Sequence, residues 1–373
     1  MRGAAFLIKP ASGACNMNCK YCFYADVTAV RKVKNYGFMG EELLEILIQK
    51  ALTSVDEFVS FAFQGGEPTL VGLPFYQKVI ELEKKHNKRG VKIFNSIQTN
   101  GYRLNREWAD FFAKENFLVG ISLDGPPDIH NRYRLDIKGA PTFNAVMNSA
   151  RLFDECGVQY NILCVVNRLI AFNAKAVYDF FKENNFRYLQ FIPCLDGFDA
   201  KENEFSLSSK NYAHFLKTTF DLYLKDYFSG NYISVRNFDN YVSMLLGRQP
   251  ESCDLNGVCS AYFVVEGDGS VYPCDFYVLD EYSIGNIAVH ELQTMIDSSP
   301  ARDFRKLSLH VDDKCRQCEV YPVCRGGCRR HREPLIEGHL RLNKYCEAYL
   351  DFFTYARNGL NSIASDIREK QII

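Results

Sequence analysis

The chain has 373 residues, 47% hydrophobic and 24% charged, which suits an ordinary globular protein with room for two domains. Its 44 basic and 45 acidic residues leave a net charge of −1, so nothing electrostatic favours nucleic acid or an anionic membrane. The opening run Met1–Lys9 is too short for a signal sequence and ends in a lysine, and no apolar stretch approaches a membrane span; a cytoplasmic location without membrane contact is expected.

A strand predicted over 5–9 leads into Cys15-x3-Cys19-x2-Cys22, followed by Phe23 and Tyr24. A structural zinc closes its shell with four ligands. A cuboidal [4Fe–4S] cluster takes one thiolate per iron, so three local thiolates would leave one iron open to an outside ligand. Beyond this stretch, helix-period segments over 41–52, 74–85, 105–115, 142–155 and 174–184 alternate with apolar runs over 59–64, 91–99, 117–123, 159–166 and 187–193. Six strand-then-helix units imply an α/β fold with a parallel sheet and right-handed crossovers, a partial (β/α)6 barrel. Function should gather at the C-terminal ends of its strands.

Four strand exits join glycine to polar side chains: Gln64-Gly65-Gly66-Glu67-Pro68, Gln98-Thr99-Asn100-Gly101, Ser122-Leu123-Asp124-Gly125 and Cys194-Leu195-Asp196-Gly197. Each alone is ordinary turn chemistry. Four on one rim favour a ligand site. A polar loop over 196–205 and a helix over 209–228 follow. From Cys253 the chain turns loop-rich and cysteine-dense, with a strand-turn-strand over 262–272 and a closing helix over 345–363. The expected domains are 1–235, the barrel, and 236–373, the cysteine-dense extension.

Fourteen cysteines are the compositional anomaly. A disulfide scaffold is usually a short secreted chain, so ligation in a reducing compartment fits better. Cys156, Cys164 and Cys194 are isolated and read as small buried hydrophobes. The tail holds Cys253, Cys259 and Cys274, then Cys315-x2-Cys318-x5-Cys324-x3-Cys328, then Cys346. These eight thiols could complete two four-thiolate sites. Zinc ribbons use paired Cys-x2-Cys, present here once, and the seven histidines form no zinc-type pair. The spacing favours iron–sulfur over zinc, and redox chemistry at the first cluster would need somewhere for electrons to go.

These features together resemble the radical S-adenosylmethionine enzymes: the opening cysteines with a following aromatic, and Gly65-Gly66-Glu67-Pro68 after the second strand. The tail resembles their SPASM extension, and the match covers nearly the whole chain. Ile8-Lys-Pro-Ala-Ser12, Phe61–Thr69, Tyr272-Pro-Cys-Asp-Phe-Tyr277 and Cys324-Arg-Gly-Gly-Cys-Arg-Arg330 look most like the anaerobic sulfatase-maturating enzymes.

The resemblance implies three [4Fe–4S] clusters and S-adenosylmethionine. Cys15, Cys19 and Cys22 would hold the cluster whose open iron chelates the cofactor. Cys253, Cys259, Cys274 and Cys328 would hold one auxiliary cluster, and Cys315, Cys318, Cys324 and Cys346 the other. Gly65 and Gly66 would let backbone approach the methionine moiety, and Glu67 would accept a hydrogen bond from its amino group. Tyr21, Tyr24, Ser122, Arg134 and Leu195 would line the same site, Arg134 pairing a carboxylate through its fork. A 5′-deoxyadenosyl radical would take hydrogen from Cβ of a cysteine or serine in a sulfatase segment of Cys/Ser-x-Pro-x-Arg type, giving Cα-formylglycine. Asp275 would accept the side-chain proton. Gln64 would orient the target residue. An electron donor such as flavodoxin or ferredoxin is implied.

Two other readings share parts of this pattern. A SPASM enzyme that forms thioether or carbon–carbon crosslinks on ribosomal peptides would use the same clusters. Such enzymes often carry a leader-gripping domain ahead of the first cluster, and Cys15 leaves no room for one here. A zinc-binding module on an α/β scaffold would explain the tail but not the strand exits.

Overall fold

The computed structural model describes residues 1–198, 201–260 and 262–372. Positions 199, 200, 261 and 373 lie outside the described residues, the first two of them within the polar loop expected over 196–205. The strands follow in chain order as β1 (Gly3–Ile8), β2 (Phe58–Phe63), β3 (Lys92–Thr99), β4 (Leu118–Ser122), β5 (Tyr160–Val166), β6 (Tyr188–Pro193), β7 (Ser234–Val235), β8 (Phe263–Val265), β9 (Ser270–Tyr272) and β10 (Gly285–Asn286). Helices Glu41–Ser54, Leu73–His86, Arg106–Lys114, Phe143–Cys156, Ala174–Glu183 and Ser209–Phe228 fall where helical period places them. All six expected strand-then-helix units are therefore present.

The chain forms two compact units, each discontinuous in sequence. The first comprises residues 1–122, 131–160 and 260–304. Its strands β1 to β4 pair in parallel and in order, with Phe6 opposite Phe61 and Phe61 opposite Asn95. On the other side of β1, β8 adds in parallel, and β9 and β10 continue antiparallel. Phe63, Tyr76, Trp108, Phe112 and Phe117 meet ring to ring beneath the sheet, with neighbouring centroids 5.1–6.3 Å apart. Burying such rings is a main source of stability. The consequence for function is local. Because β8 lies beside β1, the Lys9 amide donates to Val265 O (2.8 Å), which sets Lys9 and Glu266 side by side.

The second unit comprises residues 123–130, 161–259 and 305–372. Strands β5, β6 and β7 pair in parallel. Ser209–Phe228, Arg236–Leu245 and Cys346–Ile372 pack through Phe220, Phe238, Tyr241 and Phe352. The last helix runs well past the expected end at 363. Leu360, Ile363 and Ala364 continue its buried stripe, and no glycine or proline follows to stop it. No helix among the described residues is long and apolar enough to cross a membrane.

One buried charge in the first unit is a liability. Glu83, only 6% exposed, receives a hydrogen bond from Asn95 Nδ2 (3.1 Å) on Oε2, while Oε1 has no hydrogen-bond partner. Burial, helped by nearby Glu115, pushes its carboxyl up to about 7. A raised carboxyl pKa favours folding at low pH, and that contribution is lost as pH rises through the folded-state value. Glu83→Gln should therefore stabilise the protein at pH 8 by about 1–3 kcal/mol, at ~1.4 kcal/mol per pKa unit. Thermal unfolding should show that gain shrinking towards pH 5.

Candidate active site

The loop after β1 carries the first three thiols, and it is braced from several sides. Gly66 has φ +54° and Gly65 φ +93°, the left-handed region that favours glycine. A Cβ on Gly66 would stand 2.2 Å from Ala14 O, and one on Gly65 2.5 Å from Lys9 Cε. The Glu67 amide donates to Ala14 O (2.8 Å). The glycine pair thus lets the β2 exit pack directly under the turn preceding Cys15. From the far side, Asn18 and Lys20 amides donate to Leu135 O (2.8 Å) and Tyr133 O (3.1 Å).

The donors of this loop suit a cluster. Met17 N and Asn100 Nδ2 both point at Cys15 Sγ, at 3.4 and 3.7 Å. Burial pushes the Cys15 thiol up to about 12; Met17 pulls it back, while Glu67, Cys19 and Cys22 add to the rise. The three thiols therefore lie within one another's field. Ligation requires thiolates, so cluster binding would displace their protons. No group of three His, Cys, Asp or Glu side chains among the described residues is arranged for a single ion. The thiolates of a [4Fe–4S] cluster bind separate irons and stand farther apart than one ion's ligands.

Beside this loop lies a buried knot of charge. Lys9 is fully buried, its Nζ 3.1 Å from Glu266 Oε1, 4.0 Å from Asp275 Oδ1 and 4.6 Å above the Tyr24 ring. Arg31 Nη1 donates to the same Glu266 oxygen (2.6 Å), and Arg31 Nη2 to Ser12 Oγ (3.1 Å). Two cations thus face two carboxylates. Burial pushes Glu266 up, but Lys9 and Arg31 outweigh it and the net shift is down. Asp275 shifts up: burial dominates, and Lys9 and Tyr24 offset only part of it.

The two oxygens of Asp275 are not equivalent. Oδ2 accepts from Tyr24 Oη (2.5 Å) and Gln64 Nε2 (3.2 Å), and Gln64 Nε2 also donates to Tyr24 Oη (2.7 Å). Oδ1 is buried without a hydrogen-bond partner. Three residues singled out in the sequence for cofactor, substrate and proton transfer, Tyr24, Gln64 and Asp275, therefore form one contact group.

Other expected cofactor residues are placed as follows. Arg134 is buried and its Nη1 donates to Tyr21 Oη (3.0 Å). Ser122 Oγ receives Gln98 Nε2 (3.1 Å) at the end of β4. Glu67 is 1% exposed and its carboxylate gathers donors from three residues. Oε1 accepts from Thr69 N, Thr69 Oγ1 and Thr99 Oγ1 at 2.6–3.0 Å, and Oε2 from Asn100 N at 2.7 Å. In the second unit, Leu195 follows β6, with Cys194 Sγ contacting its carbonyl at 3.6 Å.

The tail thiols of the second unit fall into two sets. Cys328 is pushed up by burial, with Asp254, Cys253 and Cys259 adding to it. Cys324 is pushed up to about 12 by burial first, then by Cys346, Cys315 and Cys318. Cys274, in the first unit, directly precedes Asp275. Cys164 and Cys194 are buried, as expected of small hydrophobes; Cys156 is not, being half-buried at the end of its helix with its Sγ donating to Asp110 Oδ1 (3.3 Å).

Residues 10–172 match the Radical SAM superfamily, and residues 253–319 match the iron–sulfur cluster-binding domain SPASM. A cysteine-type anaerobic sulfatase-maturating enzyme of Clostridium novyi (strain NT) is 46% identical over 100% of both chains. The chain belongs to the anaerobic sulfatase-maturating enzymes. A serine-type enzyme of Bacteroides thetaiotaomicron is 33% identical over 98% of this chain and 92% of its own. The solved structure of native anSMEcpe with bound AdoMet and Cp18Cys peptide has a TM-score of 0.94 at 44% identity, covering 98% of this chain and 99% of that one. The fold is accordingly that of a radical S-adenosylmethionine barrel with a SPASM extension, and the enzyme is an oxidoreductase that uses iron–sulfur clusters and S-adenosylmethionine.

Sequence reasoning passed over Lys9, Arg31 and Glu266 as functional residues, and held Asn100 only as part of a polar strand exit. Lys9 and Glu266 each end an apolar strand, and a lone charge in that position was the available signal. Gly66→Ala should leave far-UV circular dichroism intact but abolish S-adenosylmethionine cleavage, because the Cys15 turn must move. Retained cleavage would show that the turn tolerates a Cβ.

Proposed function

We propose that this enzyme oxidises the active-site cysteine of a sulfatase, in a Cys-x-Pro-x-Arg type segment, to Cα-formylglycine. The observation that carries the proposal is Asp275, with one oxygen held by Tyr24 and Gln64 and the other buried without a hydrogen-bond partner. The greater identity to the cysteine-type relative than to the serine-type one supports cysteine as the target.

Cys15, Cys19 and Cys22 would hold the S-adenosylmethionine-binding cluster, with Tyr21, Tyr24, Gly65, Gly66, Ser122, Arg134 and Leu195 lining the cofactor site. The tail would hold two further [4Fe–4S] clusters, ligated by Cys253, Cys259, Cys274 and Cys328 and by Cys315, Cys318, Cys324 and Cys346. When bound, the reduced first cluster with S-adenosylmethionine would supply a 5′-deoxyadenosyl radical, and an oxidised auxiliary cluster would supply a one-electron acceptor. Glu67 would accept a hydrogen bond from the cofactor's amino group, and its carboxylate also ties the exits of β2 and β3 together beneath the cysteine loop. Residues 1–235 would serve the cofactor, and 236–373 the substrate and the departing electron. A flavodoxin or ferredoxin would supply reductant.

The chain's own residues do the remaining work. Gln64 and Tyr24 orient the target side chain beside Asp275. Loss of a Cβ hydrogen atom, one electron and the thiol proton converts –CH2–SH to –CH=S, and Asp275 Oδ1 takes that proton. Water then replaces sulfur, giving the aldehyde and hydrogen sulfide. Lys9 offsets the charge of the Asp275 carboxylate in its buried setting, where an unpaired carboxylate would be costly.

The test is anaerobic reconstitution with iron and sulfide, followed by reductant, S-adenosylmethionine and paired peptides differing only in cysteine or serine. Mass spectrometry should find formylglycine and 5′-deoxyadenosine, with the cysteine peptide turned over faster. Cofactor cleavage without peptide change would overturn the substrate assignment. Asp275→Asn should keep cofactor cleavage and lose formylglycine by about 100-fold or more, the scale of a general base. Undiminished product would rule out Asp275 as that base.

A further inference from the structure

The second unit contains a buried cation that the proposed reaction has not yet used. Arg332 is 5% exposed. Its guanidinium bonds only backbone carbonyls: Nε to Arg341 O (3.3 Å), Nη1 to Ser308 O (3.5 Å) and Nη2 to His310 O. It makes no ion pair among the described residues. Neighbouring Arg329, also buried, differs in being paired with Glu333 (3.3 Å). An arginine stays charged in any protein setting, and an isolated buried charge is costly unless something nearby compensates it.

The position of Arg332 suggests what compensates it. It closes the short helix Arg329–Arg332 that Cys328 caps. Ser308, whose carbonyl it contacts, also receives the Cys259 amide on Oγ (2.9 Å). Arg332 further lines a small cleft together with Cys315, Asp312 and Gly326. Asp312 is the carboxylate of that cleft, and its Oδ1 is taken by the Lys314 amide (2.9 Å). Arg332 thus reaches both thiol sets, through Ser308 to Cys259 and across the cleft wall to Cys315. One uncompensated cation therefore serves two groups of cysteines.

We propose that Arg332 is the shared buried counter-charge of the two auxiliary clusters, a positioning residue that makes their reduction easier. This rests on the reading of the tail cysteines as iron–sulfur ligands. A four-thiolate cluster is anionic, and taking up one electron adds a further negative charge. A fixed cation nearby, shielded from water, stabilises the more negative state most. The acceptor for the substrate electron is thereby tuned by protein charge lying outside the ligand shells.

The experiment is an EPR-monitored redox titration of the reconstituted enzyme, in a background where Cys15, Cys19 and Cys22 are replaced by alanine so that only auxiliary clusters report. Iron and sulfide are counted first. About eight irons per chain, two clusters of four, are needed in that background. None would overturn the cluster reading itself rather than the role of Arg332. With clusters loaded, Arg332→Gln should reduce the equilibrium constant for their reduction about tenfold, a fall of about 59 mV for one electron. Arg332→Lys, which keeps the charge but loses the planar fork, should stay close to the parent. An unchanged potential in Arg332→Gln overturns the proposal. Should Arg332→Gln not load clusters, Arg332→Lys decides alone: a parent-like potential supports the charge, and a tenfold loss shows that the carbonyl bonds, not the charge, matter.

Discussion

The contact between Lys9 and Glu266 is the constraint on which the first unit's chemistry depends. It joins the end of β1, from the start of the chain, to the end of β8, more than 250 residues later. Both side chains are fully buried, so neither can be left alone: removing one partner of a buried ion pair costs about 3–5 kcal/mol. Arg31 fixes the cysteine-loop side of the pair, and Asp275 the side of the tail. The knot therefore requires that the cofactor loop and the tail hairpin form together. The proposed base is built into this balance of charge and does not stand on an exposed loop, which suits the precision a proton transfer needs.

The glycine pair after β2 illustrates how one motif can carry two demands. Gly65 and Gly66 are expected to let backbone approach a ligand, and close approach is indeed what they provide. Their neighbours, however, are the Lys9 side chain and the Ala14 carbonyl. Glu67 repeats the lesson: its carboxylate gathers donors from Thr69, Thr99 and Asn100. These residues hold the shape of the cysteine loop, and through it the position of anything bound there. In the second unit Arg332 plays a comparable supporting part for the tail thiols.

Much of this was legible in the residues because it is carried by local periodicity and short spacing. Strands β1 to β6 and the longer helix that follows each of them keep to alternation and helical period closely, and Gln64, Tyr24 and Asp275 stand at strand or cluster boundaries that the pattern marks. The charge knot was not legible. Lys9 and Glu266 meet only because β8 pairs with β1, a pairing that no local signal specifies. Helix Phe23–Val30 was also missed, since its Val and Thr are poor helix formers and its start is set by the turn at Cys22. Arg332 looked like one basic residue in a basic run; its burial depends on carbonyls brought from 308, 310 and 341.

The central claim is that the enzyme removes a hydrogen atom from Cβ of the target cysteine. The most direct measurement uses a substrate peptide whose cysteine carries two deuteriums at Cβ, turned over once under reducing, anaerobic conditions. 5′-Deoxyadenosine should gain one deuterium, and the formylglycine should retain the other at its aldehyde carbon. Unlabelled 5′-deoxyadenosine formed alongside formylglycine would contradict that claim.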